Sequence, residues 1–180
     1  MVARELLGKV LVRQVRGRRV AGRIVETEAY RGPTDVASHA QRGPKSKAAP
    51  MFGEPGFAYV YFTYGMHYCM NCVTEPAGSG TAVLLRALEP LKGIETMRRQ
   101  RGPRVDDVNL TNGPAKLCQA LEIGRTENAL DLTGNTLWLE DGPVPQRIET
   151  SARVGINRGR EHQWRFYNPD SQYVSAHPRY

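Results

Sequence analysis

The chain has 180 residues, 40% of them hydrophobic, and its 25 lysines and arginines against 18 aspartates and glutamates leave a net charge of +7. That length predicts one domain with its own core, and 18 glycines with 12 prolines exclude a plain helical bundle in favour of a turn-rich, β-containing body. A pI near 9.6 points to a polyanionic partner, and no apolar run is long enough to suggest a membrane span. Three cysteines cannot form a closed disulfide set, and the opening run MVARELLGKVLVR lacks the apolar core of a signal peptide. The expectation is a soluble, cytoplasmic protein.

In chain order, Ala3 to Leu7 reads as a short helix stopped by Gly8. Lys9 to Arg13 alternates as a strand, Arg16-Gly17-Arg18 turns, and Arg19 to Tyr30 returns as a long strand. Residues 31–56 carry Gly32-Pro33, Gly43-Pro44, Pro50 and Pro55-Gly56, and form a long loop with one or two helical turns, a length that is usually functional. Phe57 to Thr63 and His67 to Val73 are rich in strand formers, so Tyr64-Gly65 between them reads as a hairpin turn. A two-residue turn would set Thr63 opposite Met66, Tyr61 opposite Tyr68 and Tyr59 opposite Met70. Thr81 to Glu89 is a strongly apolar strand, and Leu91 to Arg99 looks helical. Asn112-Gly113 with Pro114 at the first helical position opens a helix through Leu121. Leu137 to Glu140 is a short strand, followed by strand-like fragments at 151–154, 164–167 and 172–175. The predicted fold is a single mixed α/β (α+β) domain over residues 1–180. It has a curved, mainly antiparallel β-sheet, peripheral helices and a protruding β-hairpin.

Two stretches carry candidate chemistry. In Ile24-Val25-Glu26-Thr27-Glu28-Ala29-Tyr30, strand alternation would put Ile24, Glu26, Glu28 and Tyr30 on one face. Two carboxylates there are either a salt-bridged edge or a catalytic pair, and one walled by aromatics can hold a raised pKa and act as a general base on water. The second stretch is FAYVYFTYGMHYCMN, which holds four of the eight tyrosines. Tyr64 sits on its tip, where no neighbouring strand covers it. Asn71 is a strand amide that needs partners and can discriminate hydrogen-bonding groups. Arg86 points a guanidinium toward an apolar side, which requires a carboxylate or a phosphate. Cys69-x-x-Cys72 has ligand-like spacing, but on a strand the two thiols face opposite ways, so no metal is expected.

The runs GRIVETEAYRGPTDVASHA, MFGEPGFAYVYFTYGMHYCMN, AVLLRALEPLKGIETMR and NGPAKLCQAL, in that order over roughly residues 3 to 175, resemble the alkyladenine (3-methyladenine) DNA glycosylase family, in a bacterial-type form. The resemblance implies a monofunctional base-excision repair enzyme. Its partner would be double-stranded DNA containing damaged purines (3-methyladenine, 7-methylguanine, hypoxanthine, ethenoadenine), and it would act as a monomer without cofactor. It also implies roles. Glu28 would activate the attacking water, Tyr30 and His39 would sandwich the flipped base, and Tyr61 would close the pocket. Tyr64 would wedge into the duplex, and Asn71 would guard against the exocyclic amino group of guanine. Met51, Arg86 and Lys116 match positions near the DNA backbone or the lesion. In this division Glu26, Tyr59 and Tyr68 are structural. One departure is visible: Lys47-Ala48 stands where the family often has Arg-Asn, so the loop contact that pair would make is not carried over.

Flipping costs a few kcal/mol of unstacking, and a hairpin-tip aromatic offsets it. Aromatic walls add roughly 1–3 kcal/mol per stacked base and favour cationic alkylated purines. Such a base departs without a proton, so one carboxylate suffices where sugar hydrolysis usually needs two. No lysine is placed as a Schiff-base nucleophile, which implies attack by water without strand cleavage. Two other readings fit the same residues: a non-catalytic nucleic-acid-binding module, and a carbohydrate or nucleoside hydrolase using Glu26 and Glu28.

Overall fold

A computed structural model describes residues 1–175. They form a mixed α/β domain around one curved sheet, in which every pairing is antiparallel. Helix α1 (Val2–Glu5) leads into β1 (Val10–Val15), which buries Leu11 and Val15 on one face and Val10 and Val12 on the other, while Gln14 near its end is exposed. Arg16 and Gly17 turn the chain at φ 46° and 76° into the long β2 (Arg18–Arg31). The hairpin is β3 (Ala58–Thr63) and β4 (His67–Thr74), followed by β5 (Thr81–Lys92), α2 (Ile94–Arg101) and α3 (Pro114–Ala120). Strands β6 (Leu137–Glu140), β7 (Glu149–Ser151) and β8 (Arg165–Tyr167) complete the sheet. The main order is β3-β4-β5-β2-β1-β6, and β8 pairs with both β2 and β7.

The two faces of this sheet are covered differently. Alternate residues of the central strand β5, Val83 and Leu85, join Met70, Met97, Leu117 and Leu121 in the main core beneath the helices. The opposite face, with Ala82 and Val73, packs under the long 32–57 connection through Ala40, Ala48 and Met51. Gly80 lets that connection settle. At φ +66°, a Cβ there would lie 2.7 Å from the Phe52 ring and 3.1 Å from Ala40 Cβ. Two 3₁₀ turns, His39–Arg42 and Ala49–Phe52, supply the helical turns expected of this loop.

Several expected details change. The hairpin loop holds three residues rather than two, so Thr63 faces His67, Phe62 faces Tyr68, Tyr61 faces Cys69 and Tyr59 faces Asn71. Tyr64 and Gly65 both take positive φ, 52° and 71°, and Met66 adds the third residue. That slip of one residue moves Tyr68 to the face opposite Tyr59 and Tyr61. Leu91 and Lys92 finish β5 instead of opening α2, because Gly93 turns the chain at φ 78°. Residues 172–175 form no strand, and the Ser175 amide goes to a side chain instead of a ladder. Ile24 parts company with Glu26. Between β2 and β5, Val25 and Arg86 are left without ladder partners, so Ile24 packs into the main core while Glu26 and Glu28 turn to the opposite face. Bulges of this kind re-aim side chains, and here they aim Arg86.

Candidate active site

Between the sheet and the 32–57 connection lies a cavity of about 350 Å³, lined by Tyr30, His39, Met51, Tyr59, Tyr61, Tyr64, Asn71, Arg86 and the Val154–Ile156 segment, among others. That volume sits at the small end of the usual ~300–1,000 Å³ for ligand sites and suits one heterocycle.

Carboxylates lie beneath it. Glu28 and Glu26 are fully buried. Arg86, bulged out of β5, donates from Nε to Glu26 Oε1 at 3.1 Å and places its second nitrogen 3.3 Å from Glu28 Oε1. A guanidinium on the inner face of a sheet is tolerable because it is paired with carboxylates there. Glu26 has further partners: Arg165 Nε at 2.5 Å, the Ser175 amide at 2.7 Å and the Ser175 hydroxyl at 2.8 Å. Glu28 is bound more sparely, by the Val154 amide on Oε1 at 2.6 Å and the Tyr30 hydroxyl on Oε2 at 3.0 Å. Burial pushes its carboxyl above the ordinary glutamate value, and Arg86, the Val154 N–H and the Tyr30 hydroxyl hold that rise back. The result is a carboxyl that takes a proton more readily than a surface one, as a base must.

The walls are aromatic. The His39 ring meets Tyr61 edge-on, at 4.5 Å between centroids and 75° between planes, and its Nδ1 lies 3.0 Å from the Tyr59 hydroxyl. Burial, helped by Arg42, lowers the His39 pKa and keeps the ring neutral at pH 7. Burial pushes the Tyr59 hydroxyl up to about 12, so it stays a neutral partner. Asn71 donates from Nδ2 to the Tyr59 carbonyl at 3.0 Å. Its Oδ1 has no hydrogen-bond partner among the described residues, and that is the group left to meet a ligand. Tyr64 stands at the rim, 85% exposed, with Met66, also largely uncovered, two residues on in the same loop.

The expected residues therefore divide. Tyr30, His39, Met51, Tyr61, Tyr64, Asn71 and Arg86 line the cavity, and Glu28 lies buried behind its wall, bonded to Tyr30 and beside Arg86. Lys116 does not line it; on α3 its Nζ donates to Asn112 Oδ1 at 2.7 Å. Arg86 is committed to Glu26 and Glu28, so the carboxylate partner considered for it is the one it has. Tyr59 is more than packing, since it lines the cavity and fixes the His39 ring, whereas Tyr68 packs on Phe62 at 5.1 Å on the other face. Sequence reasoning missed the Val154 amide, because a backbone donor 126 residues from its acceptor leaves no residue-type signal. It also missed Asp35 and Arg153, which form a buried ion pair behind Tyr30. Cys69 lines the cavity while Cys72 lies in the main core, and the described residues contain no cluster able to hold a metal ion.

A small aromatic cavity over buried carboxylates suits a hydrolase that draws a flat heterocycle into its interior, which among enzymes on nucleic acids is a glycosylase. Comparison with known proteins makes that class specific. The family model described as methylpurine-DNA glycosylase (MPG) matches residues 1–172. Proteins provisionally named 3-methyladenine DNA glycosylase are similar over nearly the whole chain. One from Desulfitobacterium hafniense is 47% identical, across 98% of this chain and 93% of its own length. One from Burkholderia orbicola is 49% identical, across 99% and 87%. One from Chlorobium phaeovibrioides is 51% identical, across 97% and 90%. The chain belongs to the methylpurine-DNA glycosylase family, and is a hydrolase of N-glycosyl bonds that acts on DNA in repair. No helix among the described residues is long and apolar enough to cross a membrane.

Proposed function

We propose that this glycosylase flips damaged purines out of duplex DNA, 3-methyladenine foremost, and cleaves the N-glycosidic bond by water attack on C1′ without cutting the strand. The observation that carries this is Glu28, buried at an aromatic cavity yet anchored by only Val154, Tyr30 and Arg86. Tyr30 and His39 stack on the flipped base, Tyr61 closes over it, and Tyr64 fills the vacated stack. Asn71, with Nδ2 held by Tyr59, turns its acceptor to the base and disfavours purines that crowd it there.

As the C1′–N bond breaks, its electron pair leaves with the base and positive charge develops on the sugar. Water adds at C1′ and its proton passes to Glu28. A cationic alkylated purine becomes neutral on leaving, so no acid is needed. The neutral lesions hypoxanthine and ethenoadenine fit the same walls but must gain a proton to depart well, and 7-methylguanine is admitted only if its amino group clears Asn71. The protein acts as a monomer.

Single-turnover release of 3-methyladenine and hypoxanthine from lesion-bearing duplexes tests this. Glu28→Gln is expected to lose roughly 10²–10⁴-fold, the range for general-base catalysis. Equal rates for the variant and wild type would remove Glu28 from the chemistry. Duplex binding by wild type with no release would leave only a binding role.

A further inference from the structure

We propose that Arg153, through its ion pair with Asp35, is a positioning residue that sets both the stacking ring Tyr30 and the amide holding Glu28. The proposal rests on the role given to Glu28 above. Arg153 Nη1 donates to Asp35 Oδ2 at 2.6 Å and to the Ala29 carbonyl at 3.0 Å, and Nη2 donates to Asp35 Oδ1 at 2.8 Å. Both side chains are wholly buried. An ion pair so deep is expensive to desolvate, and core packing alone does not require it.

Its placement shows what it joins. The guanidinium lies over the Tyr30 ring at 4.6 Å and over the Trp164 ring at 5.0 Å. Neither Arg153 nor Trp164 lines the cavity, whose wall there is Tyr30 itself, so the cation backs that ring from behind. Asp35 also accepts from the Arg31 and Ala37 amides, which fixes the start of the connection carrying His39. Residue 154 follows directly, and its N–H is the 2.6 Å donor to Glu28. One buried pair thus ties together β2 through Ala29, the His39 loop through Asp35, and the segment that presents the Val154 amide. The planar fork is essential: it gives two parallel bonds to Asp35 and a flat face to two rings, which a lysine ammonium cannot do.

Moving the Val154 amide away from Glu28 removes one of the groups that favour its charged form. The groups that face Glu28 otherwise stay in place: Glu26 and Tyr30 on β2, Arg86 on β5, Cys69 on β4, and Arg165 as its ladder neighbour on β8. A weakened Arg153–Asp35 pair should therefore raise the midpoint at which activity is lost on acidification.

The test is single-turnover release from a 3-methyladenine duplex between pH 5 and 9 by wild type, Arg153→Lys and Asp35→Asn, with thermal midpoints measured alongside. Both variants are expected to be roughly 10–100-fold slower at neutral pH and to shift the acid midpoint upward by half a pH unit or more. Combined with Glu28→Gln, Arg153→Lys should add a smaller loss than it causes alone, because the part that acts through the Val154 amide on Glu28 is already gone and only the part that acts through the Tyr30 ring remains. An unchanged midpoint, or the same fold-loss in the Glu28→Gln background, overturns the positioning role. If Arg153→Lys does not fold, the isosteric Asp35→Asn decides by the same two readouts. Failure here with an inactive Glu28→Gln leaves the proposed function standing, whereas an active Glu28→Gln defeats that function first.

Discussion

Glu28 is easier to fold as a neutral group than as a charge. Its carboxyl is raised by burial first, with Arg86, the Val154 amide and the Tyr30 hydroxyl only partly compensating. A folded-state pKa above the unfolded one means that protons bind on folding, so this residue favours the fold at pH below about 4.5 and loses that contribution as pH rises toward the folded value. Gln fits the same contacts: its oxygen can accept from Val154 and Arg86, and its amino group can donate to the Tyr30 oxygen. Glu28→Gln is therefore expected to be strongly impaired yet no less stable than wild type at pH 8, with its relative stability improving from pH 4 to 8. Urea titrations at the two pH values measure this. A clear loss of stability at pH 8 would mean that the Arg86–Glu28 contact outweighs burial. The strand pattern offered two acids, Glu26 and Glu28, as either a salt-bridged edge or a catalytic pair, and it was the family resemblance that singled out Glu28. Its real partners were not legible in the sequence, since two of the three lie on β5 and in the segment after β7.

At the scale of the element, the hairpin has a tip that neither burial nor backbone preference explains. Tyr64 is 85% exposed and sits at φ 52°, a conformation that costs a side chain with a Cβ about 1–2 kcal/mol. A turn selected for stability would carry glycine or asparagine there. Tyr64→Gly should raise the thermal midpoint or leave it unchanged while sharply reducing flipping, followed by the fluorescence of 2-aminopurine beside the lesion. A stable variant that flips normally would strip Tyr64 of its wedge role. Strand β6 and helix α3 were readable from pattern and from Pro114, because their signals are local. The hairpin register was not, because Tyr-Gly does not specify a two-residue turn, and Met66 entered the loop. That single residue decides that Tyr61 and Asn71, rather than Tyr61 and Tyr68, share the cavity face.

For the whole molecule, Glu26 is where distant parts of the chain are fastened together. Strands β2, β5 and β8 and the last described residue, Ser175, meet on this one carboxylate, at sequence separations of 60, 139 and 149. Removing the Ser175 hydroxyl takes one charge-assisted bond from a buried acid. Ser175→Ala is expected to cost about 1.5–3 kcal/mol in urea unfolding and to leave the pH midpoint of activity where it is. A neutral effect would mean that Arg86, Arg165 and the Ser175 amide already satisfy Glu26. By itself the sequence determined the mixed, mainly antiparallel fold, the family, and the residue types of an aromatic cavity over a carboxylate. Periodicity, turn residues and ordered motifs are properties of neighbours along the chain. Only the tertiary structure decided that Arg86 bridges two acids, that Tyr59 orients His39, and that Arg153 stands behind Tyr30 with Asp35. Those contacts depend on β-bulges, on a hairpin register and on pairings more than a hundred residues apart, where no local pattern records which side chain meets which.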